Sequence, residues 1–154
     1  MKIDLNKWLK LEATERTARF VPYKENFVTP VAKGESLYLK AKTVGQYLYY
    51  VKNGFVAVEE TPVKSETVNV INVPAKIVIT NNTDKVMNFI PYRENFQVEV
   101  KPANMTKDGV AESYEFEVET AGQVLYYMSQ DTTGVEIDGG LDVNQDATTA
   151  AAKD

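Results

Sequence analysis

Phe20-Val21-Pro22-Tyr23-Lys24-Glu25-Asn26-Phe27 returns as Phe89-Ile90-Pro91-Tyr92-Arg93-Glu94-Asn95-Phe96, with only Val exchanged for Ile and Lys for Arg. Further along each copy, Thr43-Val44-Gly45-Gln46-Tyr47-Leu48-Tyr49-Tyr50 is echoed by Thr120-Ala121-Gly122-Gln123-Val124-Leu125-Tyr126-Tyr127. Two echoes in the same order make a tandem repeat. The 154 residues therefore divide into two related units of roughly 60 to 70 residues, each near the lower size limit for burying a core alone. Each unit gains from packing on its twin or on a partner.

Period-two alternation dominates between the echoes. In Leu37-Tyr38-Leu39-Lys40-Ala41-Lys42 the apolar set Leu37, Leu39 and Ala41 faces one way, and Tyr114-Glu115-Phe116-Glu117-Val118-Glu119 repeats the pattern; both predict half-buried strands. On the outer faces Lys40 and Lys42 correspond to Glu117 and Glu119, a charge reversal at equivalent positions. Tyr47–Lys52 and Phe55–Glu60 flank Asn53-Gly54, which predicts a type I′ hairpin. Its register would bury Tyr49, and Tyr126 in the second copy, and turn Tyr50 and Tyr127 to the other face. Ahead of the octapeptides, Trp8-Leu9-Lys10-Leu11 aligns with Ile77-Val78-Ile79-Thr80. The second copy inserts eight residues around Asn104–Gly109, in a loop that absorbs them.

Short strands punctuated by Gly, Pro or Asn predict an all-β fold of two tandem small β-sandwich domains from an internal duplication. The expected organisation is an N-terminal arm (1–7), domain 1 (8–60), a strand-like connector (61–75), domain 2 (76–139) and a polar C-terminal tail (140–154). The tail is low in apolar content and is expected to order only against a neighbouring subunit.

The chain has no Cys and no His. That excludes disulfides and thiolate metal sites, and removes the commonest general base and transition-metal ligand. No Gly-rich phosphate loop or nucleophile motif appears. Asp142-Val143-Asn144-Gln145-Asp146 begins like a calcium loop, but Ala147 and Lys153 stand where glycine and the bidentate glutamate are needed. The reading is of no enzyme, no catalytic or metal residues, no cofactor and no small-molecule substrate. The amino terminus is not a secretory signal and no span is suited to crossing a bilayer, so the chain is expected to stay in the cell that makes it, or to leave by lysis or a non-classical route, without a membrane partner. The glycosylation patterns Asn81-Asn82-Thr83 and Asn104-Met105-Thr106 then carry little weight.

The net charge of −5 is unevenly spread: residues 1–60 hold ten Lys/Arg and seven Asp/Glu, whereas residues 76–154 hold six and fourteen. An acidic total without a basic cluster argues against nucleic acid. It permits head-to-tail contact between copies, or a first domain docked on an acidic surface.

Two roles remain open for the octapeptides. Phe20/Phe89 and Phe27/Phe96 can plug a core while Pro22/Pro91 ends a strand and Asn26/Asn95 takes an unusual turn conformation. Alternatively Tyr23-Lys24-Glu25 and Tyr92-Arg93-Glu94 project as twin contact loops, a composition typical of interfaces. Lys40 and Lys42 are further candidate contacts, and Tyr50 and Tyr127 are candidate stacking residues for a sugar or a partner.

Val31-Ala32-Lys33-Gly34-Glu35-Ser36-Leu37 leading into Thr43–Tyr50, followed by Asn53-Gly54 and matched in the second copy, resembles the small tandem immunoglobulin-like proteins that decorate tailed-bacteriophage capsids, most of all auxiliary capsid proteins of the crAss-like kind. The likeness spans about residues 8–139 in strand pattern, with no diagnostic motif. It implies a non-enzymatic virion protein on the outside of the capsid shell, made in the host cytoplasm, with the major capsid protein and neighbouring copies as partners. The alternative expectation is a carbohydrate- or cell-surface-binding module of a head fibre or tail.

Overall fold

Leu9 and Leu11 alternate with Trp8 and Lys10, and this alternation makes β1 (Trp8–Glu12) the centre of the first unit's sheet. In the computed structural model, which describes residues 2–130 and the backbone of 135–138, the hairpin β2 (Ala18–Phe20) and β3 (Thr29–Val31) follows. Next come β4 (Ser36–Leu39), the helix α1 (Val44–Lys52), β5 (Val56–Val58) and β6 (Val68–Val70). β1 runs antiparallel to both β4 and β5, and β6 adds to β4 in parallel, giving the order β5-β1-β4-β6.

The second unit repeats the order. β7 (Ala75–Asn81) is central between β10 (Ser113–Val118) and β11 (Val135–Asp138), with a hairpin of β8 (Met87–Phe89) and β9 (Val98–Val100) and the helix α2 (Ala121–Ser129). The principal boundary between the two compact units falls between Val73 and Pro74. β6 lies within the segment expected to be a strand-like connector.

In unit 1 the inner sheet face meets hairpin and helix. Phe20, Tyr50 and Phe55 form an edge-on aromatic cluster, with Phe55 centred 5.1 Å from Phe20 and 5.2 Å from Tyr50, and Leu9 and Leu39 are fully buried. In unit 2 Tyr127 lies 4.9 Å from Phe116 and 6.3 Å from Phe89, and Ile77, Ile79, Val100 and Val124 are buried. Each such side chain contributes about 1.5–3 kcal/mol on burial.

Several expectations are corrected. The fold is β-rich as expected, but it includes two short helices. The segment predicted as the first strand of a hairpin is α1, and its echo is α2. Thr43 is the N-cap, its hydroxyl accepting the Gln46 N–H at 3.1 Å, while the Gln46 side chain reaches back to accept the Lys42 N–H at 2.7 Å. In α2 Gln123 accepts the Glu119 N–H in the same way at 2.7 Å. Thr-x-x-Gln is thus a capping signature.

Asn53-Gly54 closes the helix. Gly54, at φ +103°, donates to the Val51 carbonyl at 3.1 Å, and Phe55 N–H reaches the Tyr50 carbonyl at 3.0 Å. That is a Schellman cap, with the Phe55–Tyr50 ring contact as its apolar seal. Asn-Gly supplies positive φ to either structure, and the upstream cap decides between them.

The alignment of the first strands is also shifted by one residue. Leu9 opposes Leu39 as Ile77 opposes Phe116, and both are fully buried. Leu9, not Trp8, therefore matches Ile77, and a one-residue slip exchanges the two faces.

The inserted residues of unit 2 form a 3₁₀ turn (Ala103–Met105). The loop is closed at its neck by Glu112, whose N–H donates to the Lys101 carbonyl at 2.9 Å and whose carboxylate accepts the Lys101 N–H at 2.8 Å. Asn81 is completely buried, its amide donating to the Lys85 and Val100 carbonyls, which leaves no accessible glycosylation acceptor there. Residues 131–134 and the tail expected to order against a neighbour lie outside the described residues.

Candidate partner-binding surfaces

The two echoes meet within each unit. Tyr49 donates its hydroxyl proton to the Val21 carbonyl, and the neighbouring Tyr50 hydroxyl accepts the Tyr23 N–H at 3.1 Å. In unit 2 Tyr126 donates to the Ile90 carbonyl at 2.8 Å and Tyr127 accepts from the Tyr92 N–H at 2.9 Å. The ring of Tyr23 packs edge-on against Tyr49 at 5.5 Å, as Tyr92 does against Tyr126 at 5.4 Å. A consecutive tyrosine pair on a helix therefore clamps the octapeptide turn, one hydroxyl donating to a main-chain carbonyl and the other accepting a main-chain N–H.

This assigns the tyrosines differently from the sequence reading. Tyr50 and Tyr127 are 2% and 5% exposed, so they are clamp and core residues and are unavailable for stacking on a sugar. Tyr49 and Tyr126 are half-buried. The helix puts Tyr47 and Tyr50 on the buried side, whereas a strand would have separated them.

Clamping fixes the shape of the turn. Glu25 N–H donates to the Pro22 carbonyl at 2.9 Å and Glu94 N–H to the Pro91 carbonyl at 3.0 Å. The third residue of each turn takes positive φ: Lys24 at 59° and Arg93 at 60°. The unusual conformation was expected at Asn26 and Asn95, and it sits two residues earlier. Glycine occupies such a position without penalty, whereas a long side chain costs about 1–2 kcal/mol there.

Part of that cost is offset by stacking. The Lys24 ammonium lies 5.6 Å from the Tyr23 ring centre, and the Arg93 guanidinium 5.3 Å from that of Tyr92, each worth about 0.5–1 kcal/mol at an exposed site. Both units thus hold an exposed basic group on an aromatic ring, followed by an acid. Glu25 is half-buried and Glu94 exposed.

The outer sheet faces are built from equivalent positions of unlike character, and the charge reverses at Lys40 and Glu117. In unit 1 Trp8 and Tyr38, with Val70, form a small second core flanked by Val58 and Val68. The Lys40 ammonium stands 4.7 Å from the Trp8 ring centre and Lys10 lies 5.5 Å from that of Tyr38. In unit 2 the matching positions are Lys76, Val78, Glu115 and Glu117, and Lys76 pairs with Glu115 at 2.6 Å.

Lys40 is half-buried on this face, while Lys42 is exposed beside the N-cap of α1. The two candidate lysines therefore do not share one strand face as expected.

No known protein family, curated protein or solved structure matches this chain. Among the described residues no group of three or more Asp or Glu is placed to hold a metal ion, and no helix is long and apolar enough to cross a membrane.

Proposed function

We propose that this chain is a non-enzymatic structural protein of a virion, an auxiliary or decoration protein carried on the outside of a tailed-phage capsid shell, with unit 1 as the attachment module. The observation that carries the reading is the opposite character of equivalent sheet faces. Unit 1 sets Lys10 and Lys40 over aromatic rings, a surface suited to acidic protein groups, and unit 2 presents Val78 and Glu117 in their places, with Glu115 paired to Lys76 beside them. Twin scaffolds with unlike faces suit a protein that meets one partner on one side and solvent or another copy on the other.

The resemblance of the strand pattern to immunoglobulin-like decoration proteins supplies the kind of assembly. We read each unit as a reduced form of that sandwich, duplicated in one chain, in which a capped helix stands where the first strand of a hairpin was expected. The major capsid protein and neighbouring copies are the partners this reading requires, and the capsid surface is the location.

Co-sedimentation of the purified protein with shells assembled without it tests the proposal. Saturable binding that weakens with added salt is expected, since partly exposed charges are screened over about 10 Å at 0.1 M salt. Absent or unsaturable binding rejects the attachment role.

A further inference from the structure

Among the described residues the two sheets differ by one strand. In unit 1 β4 has β1 on one side and β6 on the other, and β6 runs parallel to it with Val68 beside Ser36 and Val70 beside Tyr38. At the ends of this pairing the Ser36 N–H donates to the Thr67 carbonyl and the Ile71 N–H donates to the Tyr38 carbonyl, each at 2.8 Å. In unit 2 the order is β10-β7-β11, so β10, which stands where β4 does, has no strand on its far side among the described residues. This is a property of the unit's own sheet.

The alternation of an antiparallel ladder decides which main-chain groups are left over. The Asn81 N–H donates to the Glu112 carbonyl at 3.4 Å, so Glu112, Tyr114 and Phe116 turn their main-chain groups toward β7, while Ser113, Glu115 and Glu117 turn theirs outward. With Leu39 matched to Phe116, Ser113 and Glu115 are the counterparts of Ser36 and Tyr38, the two residues that bond to the β6 segment. A row of outward N–H and C=O groups is a template for one more strand.

Unit 1 also shows how the added strand is matched to the sheet. Val68 and Val70 pack with Trp8 and Tyr38 on the outer face, apolar beside aromatic. On the same face of unit 2 the residues along the open edge are Glu115, which pairs with Lys76, and Glu117. Residues two apart on an incoming strand fall beside them, where opposite charge stabilises and like charge destabilises. Two β10 edges are therefore a poor match, because glutamate would meet glutamate. The chain's own residues 142–154 match no better, holding Asp142, Asp146 and Asp154 against Lys153 alone.

We propose that β10 is a strand-addition site for an extended segment of another protein in which Lys or Arg alternates with apolar residues, bound on β10 as β6 is bound on β4. Main-chain bonds to Ser113, Glu115 and Glu117 supply the grip, and the glutamate row selects the sign of the partner. The proposal does not rest on the capsid reading, and it places this partner on unit 2, not on the basic face of unit 1.

The test is an amide NMR titration of the full chain with the end-blocked peptide Lys-Val-Lys-Val-Lys-Val up to about 1 mM, the range of weak peptide binding. Two peptides serve as controls: Glu-Val-Glu-Val-Glu-Val, and the Lys-Val peptide N-methylated throughout, which keeps the charge and loses the donors. Saturable shifts centred on the amides of Ser113, Glu115 and Glu117 are expected with the first peptide, and none with the glutamate peptide. N-methylation, and separately Glu117→Lys in the protein, should each weaken binding at least about tenfold. Circular dichroism establishes that the variant keeps the wild-type spectrum, and Glu117→Gln replaces it if it does not. Absence of saturable shifts, shifts centred elsewhere, or equal binding of the N-methylated peptide overturns the proposal.

Discussion

The Tyr50 hydroxyl accepts the main-chain N–H of Tyr23 at 3.1 Å across 27 residues of sequence, and the second unit rebuilds the bond between Tyr127 and Tyr92 at 2.9 Å. This one relationship explains why the two echoed segments are kept together. The helix tyrosines receive the octapeptide turn in both units, and in unit 2 the Gln130 side chain adds a further bond by accepting the Ile90 N–H at 3.1 Å.

Tyr50→Phe keeps the ring and removes the hydroxyl that accepts this bond. Leaving the part-buried Tyr23 N–H unsatisfied costs about 1–3 kcal/mol, so the urea midpoint should fall with an unchanged slope. Tyr127→Phe should do the same. No change in midpoint for either would mean that water replaces the clamp.

Lys24 and Arg93 separate conformational strain from side-chain role. Asparagine tolerates positive φ whereas a β-branched residue does not, so Lys24→Asn should alter stability by less than about 0.5 kcal/mol while Lys24→Val costs about 1 kcal/mol or more. Thermal unfolding of the pair decides it. Equal melting temperatures would contradict the turn geometry.

Tyr127 brings a pH dependence with a definite sign. Burial pushes its phenol above the ordinary value of 10.0, Glu94 adds in the same direction, and the Tyr92 N–H opposes them. A folded value above the unfolded one means that this group's contribution to stability is complete below about pH 10 and declines as pH rises through the folded value. Ultraviolet tyrosinate titration should show a late-ionising tyrosine that Tyr127→Phe removes. A titration identical to that of the variant would contradict the placement.

The helix that replaced the expected hairpin is testable at both ends. Thr43→Ala removes the N-cap acceptor and should cost about 1 kcal/mol. Gly54→Ala meets positive φ and a Leu11 methyl at 3.4 Å, and should cost at least as much. If Asn53-Gly54 instead formed a type I′ turn, the Thr43 substitution would be silent.

The repeat, the strands around Leu9, Leu37 and Leu39, and the loop position of the insertion were legible because duplication and period-two burial write directly into sequence. The helices were not. Leu48-Tyr49-Tyr50-Val51 is apolar without helical gaps, aromatic and β-branched residues favour strands on propensity, and Asn-Gly serves a hairpin and a helix C-cap alike. Thr43 with Gln46 was the signal that distinguishes them. Burial of Tyr50 and Tyr127 followed from the same misreading, since a helix groups positions three apart. The alignment of the first strands slipped by one residue at Trp8, because weak identity between them leaves register undetermined until the partner strands are seen.

The central claim is that two like scaffolds present unlike faces and that the basic one attaches. Its most direct measurement is shell co-sedimentation of Lys40→Glu/Lys42→Glu beside Glu117→Lys/Glu119→Lys, the equivalent positions of unit 2. The account predicts at least about a tenfold loss of affinity for the first pair, which corresponds to about 1.4 kcal/mol, and unchanged affinity for the second. Binding that survives reversal in unit 1, or falls only on reversal in unit 2, would contradict it.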